Sequence, residues 1–275
     1  MVNKNRKIFV ADFDGTLARD DSSISIQTID LLKKLGKIDV IRIVDTGRSL
    51  FSFKTVVNDD FPIDYLVFSS GIGIYDWKKQ KLLKEYSIGE QDTADVYKYL
   101  SENNYDFMVQ LPVPNNHFFH HFSSDYPNSD FQSRISYYEN YGIKPSKKCP
   151  VKASQFVIIL NKEANDIIKI SQQFPHLKIV KATSPIDRKS VWIEILPPKI
   201  SKATGIEFIQ NIYNAKLENI VTVGNDYYDL DMLNYSLPQN SYIVANAPDE
   251  LLKMFNAVQS NEEEGVAALI QKLYF

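Results

Sequence analysis

The stretch Lys7-Ile8-Phe9-Val10-Ala11-Asp12-Phe13-Asp14-Gly15-Thr16 constrains the fold more than any other part of the chain. An apolar run of this length closed by a glycine turn reads as a strand buried on both faces, as in the middle of a parallel sheet. Two carboxylates follow one residue apart. Alternation along an extended chain places Asp12 and Asp14 on one side and Phe13 on the other. Two anions held that close in a dry crevice repel each other unless a cation or a shared proton intervenes. Gly15 and Thr16 add backbone N–H groups and a hydroxyl suited to an anion. Together these residues point to a metal-assisted carboxylate nucleophile for phosphoryl transfer.

The next eighty residues repeat one grammar. Ser25 is placed to cap a helix over 26–35, with Ile29, Leu32 and Leu35 on one face. A strand over 39–44 is broken by Asp45-Thr46-Gly47-Arg48, a helix runs from Ser49 to about residue 58, and a strand over 64–68 ends at Ser69-Ser70-Gly71. Strand, helix, strand, helix, strand predicts a doubly wound, Rossmann-like parallel sheet, whose ligand crevice lies at the carboxyl ends of its strands. Asp12, Asp14, Thr46 and Ser70 all stand at such ends. From Ile72 to about Leu83 a hairpin-like stretch is expected to lead out of the sheet, and an α+β insert with its own small sheet follows over 86–195. The first grammar returns at Lys202, with a strand over 219–223 ending at Gly224-Asn225-Asp226. The expected architecture is therefore a discontinuous α/β core, 1–85 and 196–275, interrupted by that insert.

Bulk properties narrow the partners. A formal net charge of −3 over 275 residues gives no basis for general binding to nucleic acid or to an acidic membrane. No window approaches the roughly 20 apolar residues of a membrane span, and the first residues lack the apolar core of a signal peptide, so a cytoplasmic protein is expected, as monomer or small homo-oligomer. The single cysteine, Cys149, excludes an internal disulfide and reads as an incidental thiol. His117, His120 and His121 lie on an expected strand that spreads them over both faces, which is a poor arrangement for a metal. Arg134, Arg188 and Lys189 could meet a second anionic group on a substrate, though solvation is the default for such residues.

In order along the chain, Asp12-Phe13-Asp14-Gly15-Thr16, Thr46-Gly47-Arg48, Lys202, and Gly224-Asn225-Asp226 through Asp229 resemble the motifs of the haloacid dehalogenase superfamily of phosphatases. The resemblance is to its Cof-like branch, which carries a large α/β cap between the second and third motifs and a closing segment similar to Ser260-Asn261-Glu262-Glu263-Glu264-Gly265-Val266. It implies Mg²⁺-dependent hydrolysis of a small phosphorylated metabolite, a sugar phosphate above all. Asp12 would be the nucleophile, Asp14 the acid and base, Thr46 a ligand of a phosphoryl oxygen, and Lys202 the partner of both Asp12 and the phosphoryl group. Gly15 and Gly47 would join the phosphate-binding set, and the metal set would be drawn from Asp12, Asp14, Asn225, Asp226 and Asp229. The fourth motif departs from the branch: Asn225 stands where a carboxylate is usual, and Tyr228 replaces an asparagine. Asp229 is the favoured matching acid and Asp226 its alternative, unless either only caps the next helix. A phosphosugar mutase, or a phosphate-ligand binding protein with weakened catalysis, are the other readings.

Overall fold

The computed structural model describes residues 6–140, 146–160, 165–183 and 190–275. The chain divides into two compact units, one formed by Met1–Lys84 with Ser201–Phe275 and the other by Glu85–Ile200.

The first unit opens with β1 (Ile8–Asp12), α1 (Ile26–Lys37), β2 (Ile41–Asp45), α2 (Leu50–Lys54), β3 (Tyr65–Phe68), β4 (Gly73–Asp76) and β5 (Lys81–Glu85). Both early helices begin where a serine can cap them: Ser25 accepts from the N–H of Thr28 and Ser49 from that of Ser52. The helix expected to reach residue 58 stops at Lys54, so α2 is little more than one turn. The stretch 72–83 also departs from expectation. It stays in the sheet, because β4 folds back antiparallel on β3, with Tyr65 opposite Asp76 and Phe68 opposite Gly73.

The inserted unit contains α3 (Glu90–Glu102), β6 (Asp106–Gln110), β7 (Phe119–Phe122), α4 (Ser129–Asn140), β8 (Gln155–Leu160), α5 (Asn165–Gln173), β9 (Lys178–Thr183) and β10 (Val191–Leu196). Its five strands pair antiparallel in the order β7-β6-β8-β10-β9. Alternation divides their side chains between two apolar layers. Phe107, Val109, Phe156, Ile158, Ile193 and Ile195 pack with Val96, Leu100, Ile170 and Phe174 of α3, α5 and the turn after α5. Met108, Val157, Ile159 and Trp192 pack with Phe131 of α4. Arg134 lies with its guanidinium 4.4 Å from the Trp192 ring centroid. Arg188 and Lys189 lie outside the described residues.

The first unit resumes with α6 (Lys202–Tyr213), β11 (Ile220–Gly224), α7 (Leu230–Leu233), β12 (Ser241–Val244), α8 (Asp249–Leu252), β13 (Asn256–Val258) and α9 (Gly265–Tyr274). Its sheet runs β13-β12-β11-β1-β2-β3-β4-β5, with β13 through β3 parallel. Every residue of β1, β2 and β3 is buried, as strands covered on both sides must be. Asp12, Asp45 and Val67 are in register and so share a face. That is the face of α6, since a Cβ on Gly205 would come within 2.4 Å of the Val67 side chain. Phe9 and Arg42 share the other face, where Phe9 meets the Tyr274 ring of α9 and Arg42 reaches the Leu32 carbonyl of α1. Helices thus cover both faces, the arrangement that sends all the parallel strand ends toward one edge. Among the described residues no helix is long and apolar enough to cross a membrane.

Candidate active site

The strand ends bring the distant motifs together around one ammonium group. Lys202 is the first residue of α6, and Gly205 lies three residues later on the same face. With no Cβ at Gly205, α6 approaches β3 closely enough to bury Lys202 to 4% exposure. Its Nζ donates to Asp12 Oδ1 at 2.6 Å, to Asp229 Oδ1 at 2.6 Å and to the Asp45 carbonyl at 3.0 Å. All three ammonium hydrogens are therefore used. The second oxygen of Asp12 accepts from the Thr16 hydroxyl at 2.9 Å, and that of Asp229 from the N–H groups of Asn225 and Asp226 at 2.8 and 3.1 Å.

Asp14 sits in a different environment. The regular strand ends at Asp12, so the turn rather than strand alternation aims Asp14. Its side chain is 51% exposed and accepts a bidentate pair from Arg48, with Nε–Oδ2 at 2.8 Å and Nη2–Oδ1 at 2.6 Å. Arg48 also donates to Ser22 Oγ at 3.0 Å and stacks 5.4 Å from the Phe13 ring centroid. Gly15 bends the chain at φ +71°, a conformation that favours glycine, and an added Cβ would meet the Asn225 amide at 2.5 Å. Thr46 is fully buried and its hydroxyl accepts from the Arg48 N–H at 3.1 Å, while Gly47 is exposed beside it. Asp226 is exposed and caps the single turn Tyr227–Asp229 through the Tyr227 N–H. Thus Asp12, Lys202 and Asp229 are in direct contact, Asn225 borders the Gly15 turn, and Asp226 faces outward.

The residue that sequence reasoning passed over is Asp45. It lies beside Asp12 on the next strand, is fully buried, and neither carboxylate oxygen has a hydrogen-bond partner among the described residues. Its only sequence signal is an acidic residue closing a strand that is apolar but for Arg42. Burial pushes its pKa well up, Asp229 and Asp12 add to this, and Lys202 opposes them. Burial and Asp229 likewise push Asp12 up to about 7, against the pull of Lys202. For Lys202, burial alone would lower the pKa; the fields of Asp12, Asp229 and Asp45 outweigh it and hold the ammonium above its usual range. An acid with a raised folded pKa confers stability below its unfolded value near 4, and this is lost as pH rises. Asp45→Asn is accordingly expected to raise Tm at pH 8 in buffer free of divalent cations, by an amount corresponding to about 1–3 kcal/mol. The gain should vanish at pH 4, as thermal unfolding at the two pH values will show. A Tm at pH 8 no higher than wild type would mean that Asp45 finds a partner.

Burial and the neighbouring carboxylates push Asp12 and Asp45 toward the protonated form, a tendency that a divalent cation with oxygen ligands such as Mg²⁺ would offset. Among the described residues no group of three His, Cys, Asp or Glu side chains is arranged to hold a metal. A Mg²⁺ site would therefore combine the Asp12 carboxylate with neutral oxygens, those of the Asn225 amide and of backbone carbonyls in the Asp14 turn. Asp229, filled by Lys202 and two N–H groups, would act behind them.

Comparison with known proteins finds relatives of the chain. Residues 9–270 match the family described as haloacid dehalogenase-like hydrolase. The chain is similar to the 5-amino-6-(5-phospho-D-ribitylamino)uracil phosphatase of Bacillus subtilis, with 25% identity covering 97% of this chain and 98% of the relative. Its fold is similar to that of a haloacid dehalogenase-like hydrolase from Bacteroides thetaiotaomicron, with a TM-score of 0.75, 16% identity, and 98% of this chain and 100% of the other covered. It is likewise similar to a subclass IIB sugar phosphatase of that superfamily, with a TM-score of 0.75, 14% identity, and 97% and 98% covered.

Proposed function

Because the chain belongs to the haloacid dehalogenase-like hydrolases, we propose that it is a Mg²⁺-dependent phosphatase acting on a small phosphate monoester of the sugar-phosphate class. The observation that carries this reading is the buried Lys202 ammonium joining Asp12 to Asp229 beside a second, half-exposed carboxylate on Asp14. Two carboxylates in such unlike settings suit two roles. Asp12 is held in place by Lys202 and Thr16 and is the nucleophile: its oxygen forms a bond to phosphorus as the ester P–O bond breaks. Asp14 gives a proton to the departing alkoxide, exchanging its contact with Arg48 for the leaving group, and then takes a proton from the water that opens the aspartyl-phosphate. Lys202 offsets charge on the transferring group, and the Thr46 hydroxyl is the proposed ligand of a phosphoryl oxygen. A bound Mg²⁺ would supply charge neutralisation for a dianionic substrate, held by Asp12, Asn225 and turn carbonyls.

These groups recognise a phosphate and little else. We assign discrimination among phosphorylated alcohols to the inserted unit, as its specificity domain. The name of the Bacillus subtilis relative, which carries a phosphorylated ribityl chain, supports a polyol- or sugar-phosphate substrate.

The test is inorganic phosphate release across a panel of phosphorylated sugars, polyols and nucleotides, with Mg²⁺ or with chelator. Release from at least one sugar or polyol phosphate, abolished by chelation, is expected. Transfer to a second sugar position without release would indicate a mutase, and silence across the panel would overturn the reading. In the same assay Asp229→Ala should weaken Mg²⁺ activation by about tenfold or more, because it frees Lys202 and the Asn225 segment together. Asp226→Ala, which loses a surface cap, should change it less than threefold. The reverse order would assign the acid of the fourth motif to Asp226.

A further inference from the structure

The closing segment of the chain has no role in the reaction described above, yet it reaches the turn that bears Asp14. Two asparagines make the connection. Asn246, after β12, donates from Nδ2 to the Gly15 carbonyl at 2.8 Å. Its Oδ1 accepts from the backbone N–H of Asn261 at 3.2 Å, so both ends of the amide are engaged and its orientation is defined. Asn261 is buried and donates from Nδ2 to the Ala18 carbonyl at 3.2 Å and to Asp20 Oδ1 at 3.0 Å. The contact continues outward: Glu262 accepts from the Asp20 N–H at 2.9 Å, and Glu264 accepts from Arg19 Nη2 at 2.6 Å and from the capping hydroxyl of Ser25.

The chain between Asp14 and Asp20 is held locally by the turn bonds from the Thr16 and Ala18 N–H groups to Phe13 O and from the Leu17 N–H to Asp12 O, at 2.8–3.3 Å, and by the Thr16 hydroxyl on Asp12. Arg48 holds the Asp14 carboxylate, but none of these bonds takes the Gly15 carbonyl. A turn bent at the left-handed Gly15 can pivot there, and a pivot moves Asp14 relative to Asp12. Asn246 holds the carbonyl of that same residue, and Asn261 the far side of the turn.

We propose that Asn246 and Asn261 are positioning residues: the loop after β12, braced by the closing segment, fixes the Asp14–Ala18 turn and thereby sets where Asp14 meets the leaving group. The catalytic half of this statement rests on the proposed phosphatase reaction; the fixing of the turn does not. Small displacements of a catalytic group are costly in rate, so a strut need supply only one hydrogen bond's worth of restraint to matter.

The test uses full-length protein carrying Asn246→Ala or Asn246→Asp. Asn246 is exposed, so both variants should fold, with Tm within a few degrees of wild type. The first readout is hydrogen exchange of the peptide covering residues 13–20, expected to lose about tenfold protection in both variants. The second is kcat/KM for two substrates. With an alkyl phosphate, whose leaving group needs a proton from Asp14, kcat/KM should fall about tenfold, mainly in kcat. With p-nitrophenyl phosphate, whose leaving group departs as the anion, it should stay within twofold. Asn246→Gln, which keeps both amide ends, should recover part of the loss. Unchanged exchange in the 13–20 peptide would overturn the strut, and equal losses on both substrates would overturn its link to Asp14. If the wild-type protein releases no phosphate from either substrate, the functional reading fails, while the exchange result still decides whether the Asn246 strut holds the turn.

Discussion

Asp12→Asn is expected to abolish phosphate release, with a loss of about 10³-fold or more in kcat, in a protein that still folds. An amide cannot form the acyl phosphate, but it can keep the local bonds. Its oxygen can accept from Lys202, and its NH₂ can donate to the Thr16 hydroxyl, which now occupies Asp12 Oδ2. The expected stability effect has the opposite sign to the activity effect. With its pKa pushed up to about 7, Asp12 weakens the metal-free fold progressively as pH rises from about 4 toward 7. The amide variant escapes that loss, so in chelator at pH 8 its Tm should equal or exceed that of wild type. Steady-state assays and thermal unfolding of the same preparation check both halves. Activity retained within tenfold would remove the covalent route through Asp12.

Lys202→Met should be the more damaging substitution because it strikes stability as well as catalysis. The methionine side chain can occupy similar volume, but Asp12, Asp45 and Asp229 then remain buried with no counter-charge. Removing one member of a buried, hydrogen-bonded charge cluster costs about 3–5 kcal/mol. In a chain of this size that corresponds to a Tm drop of roughly 5–15 °C. The pH dependence follows from the same charges. A lysine whose folded pKa is raised contributes its stability at all pH values below its unfolded value near 10, so wild type keeps this term from pH 5 to 9. In the variant Asp12 and Asp45 lose the pull of Lys202 and are pushed further up, so its deficit should be large at pH 8 and shrink toward pH 4, where both are protonated. Phosphate release should fall by about 10³-fold or more. A deficit that does not change with pH would show that packing, rather than charge, is what Lys202 provides.

Much of the core was legible because its signals are local. A buried strand with a two-carboxylate turn, serines placed to cap helices, and apolar residues at helical spacing each report on a few neighbouring residues. β3 and β11, at Tyr65–Phe68 and Ile220–Gly224, fall within a residue of the expected spans 64–68 and 219–223, because each is a compact β-branched or aromatic run between breakers. The hairpin at 72–83 was misplaced because pairing of β4 on β3 is a long-range choice that no local pattern encodes. The ending of α2 at Lys54 was equally hidden, since it reflects what the chain packs against and not helix propensity.

The sequence by itself determined the chemistry available: an acidic pair on a buried strand, a threonine, a lysine and a fourth acidic segment, in the order that marks the haloacid dehalogenase-like hydrolases. Only the tertiary structure decided how that chemistry is divided. It buried Asp12 and left Asp14 half exposed on Arg48, and it gave Asp229 to Lys202 while sending Asp226 to the surface as a cap. It also set Asp45 beside them without a hydrogen-bond partner among the described residues, and brought Asn246 to the carbonyl of Gly15 across 231 positions of chain. Charge and burial depend on neighbours in space. Parallel strands joined by helices make those neighbours out of residues that are far apart in sequence.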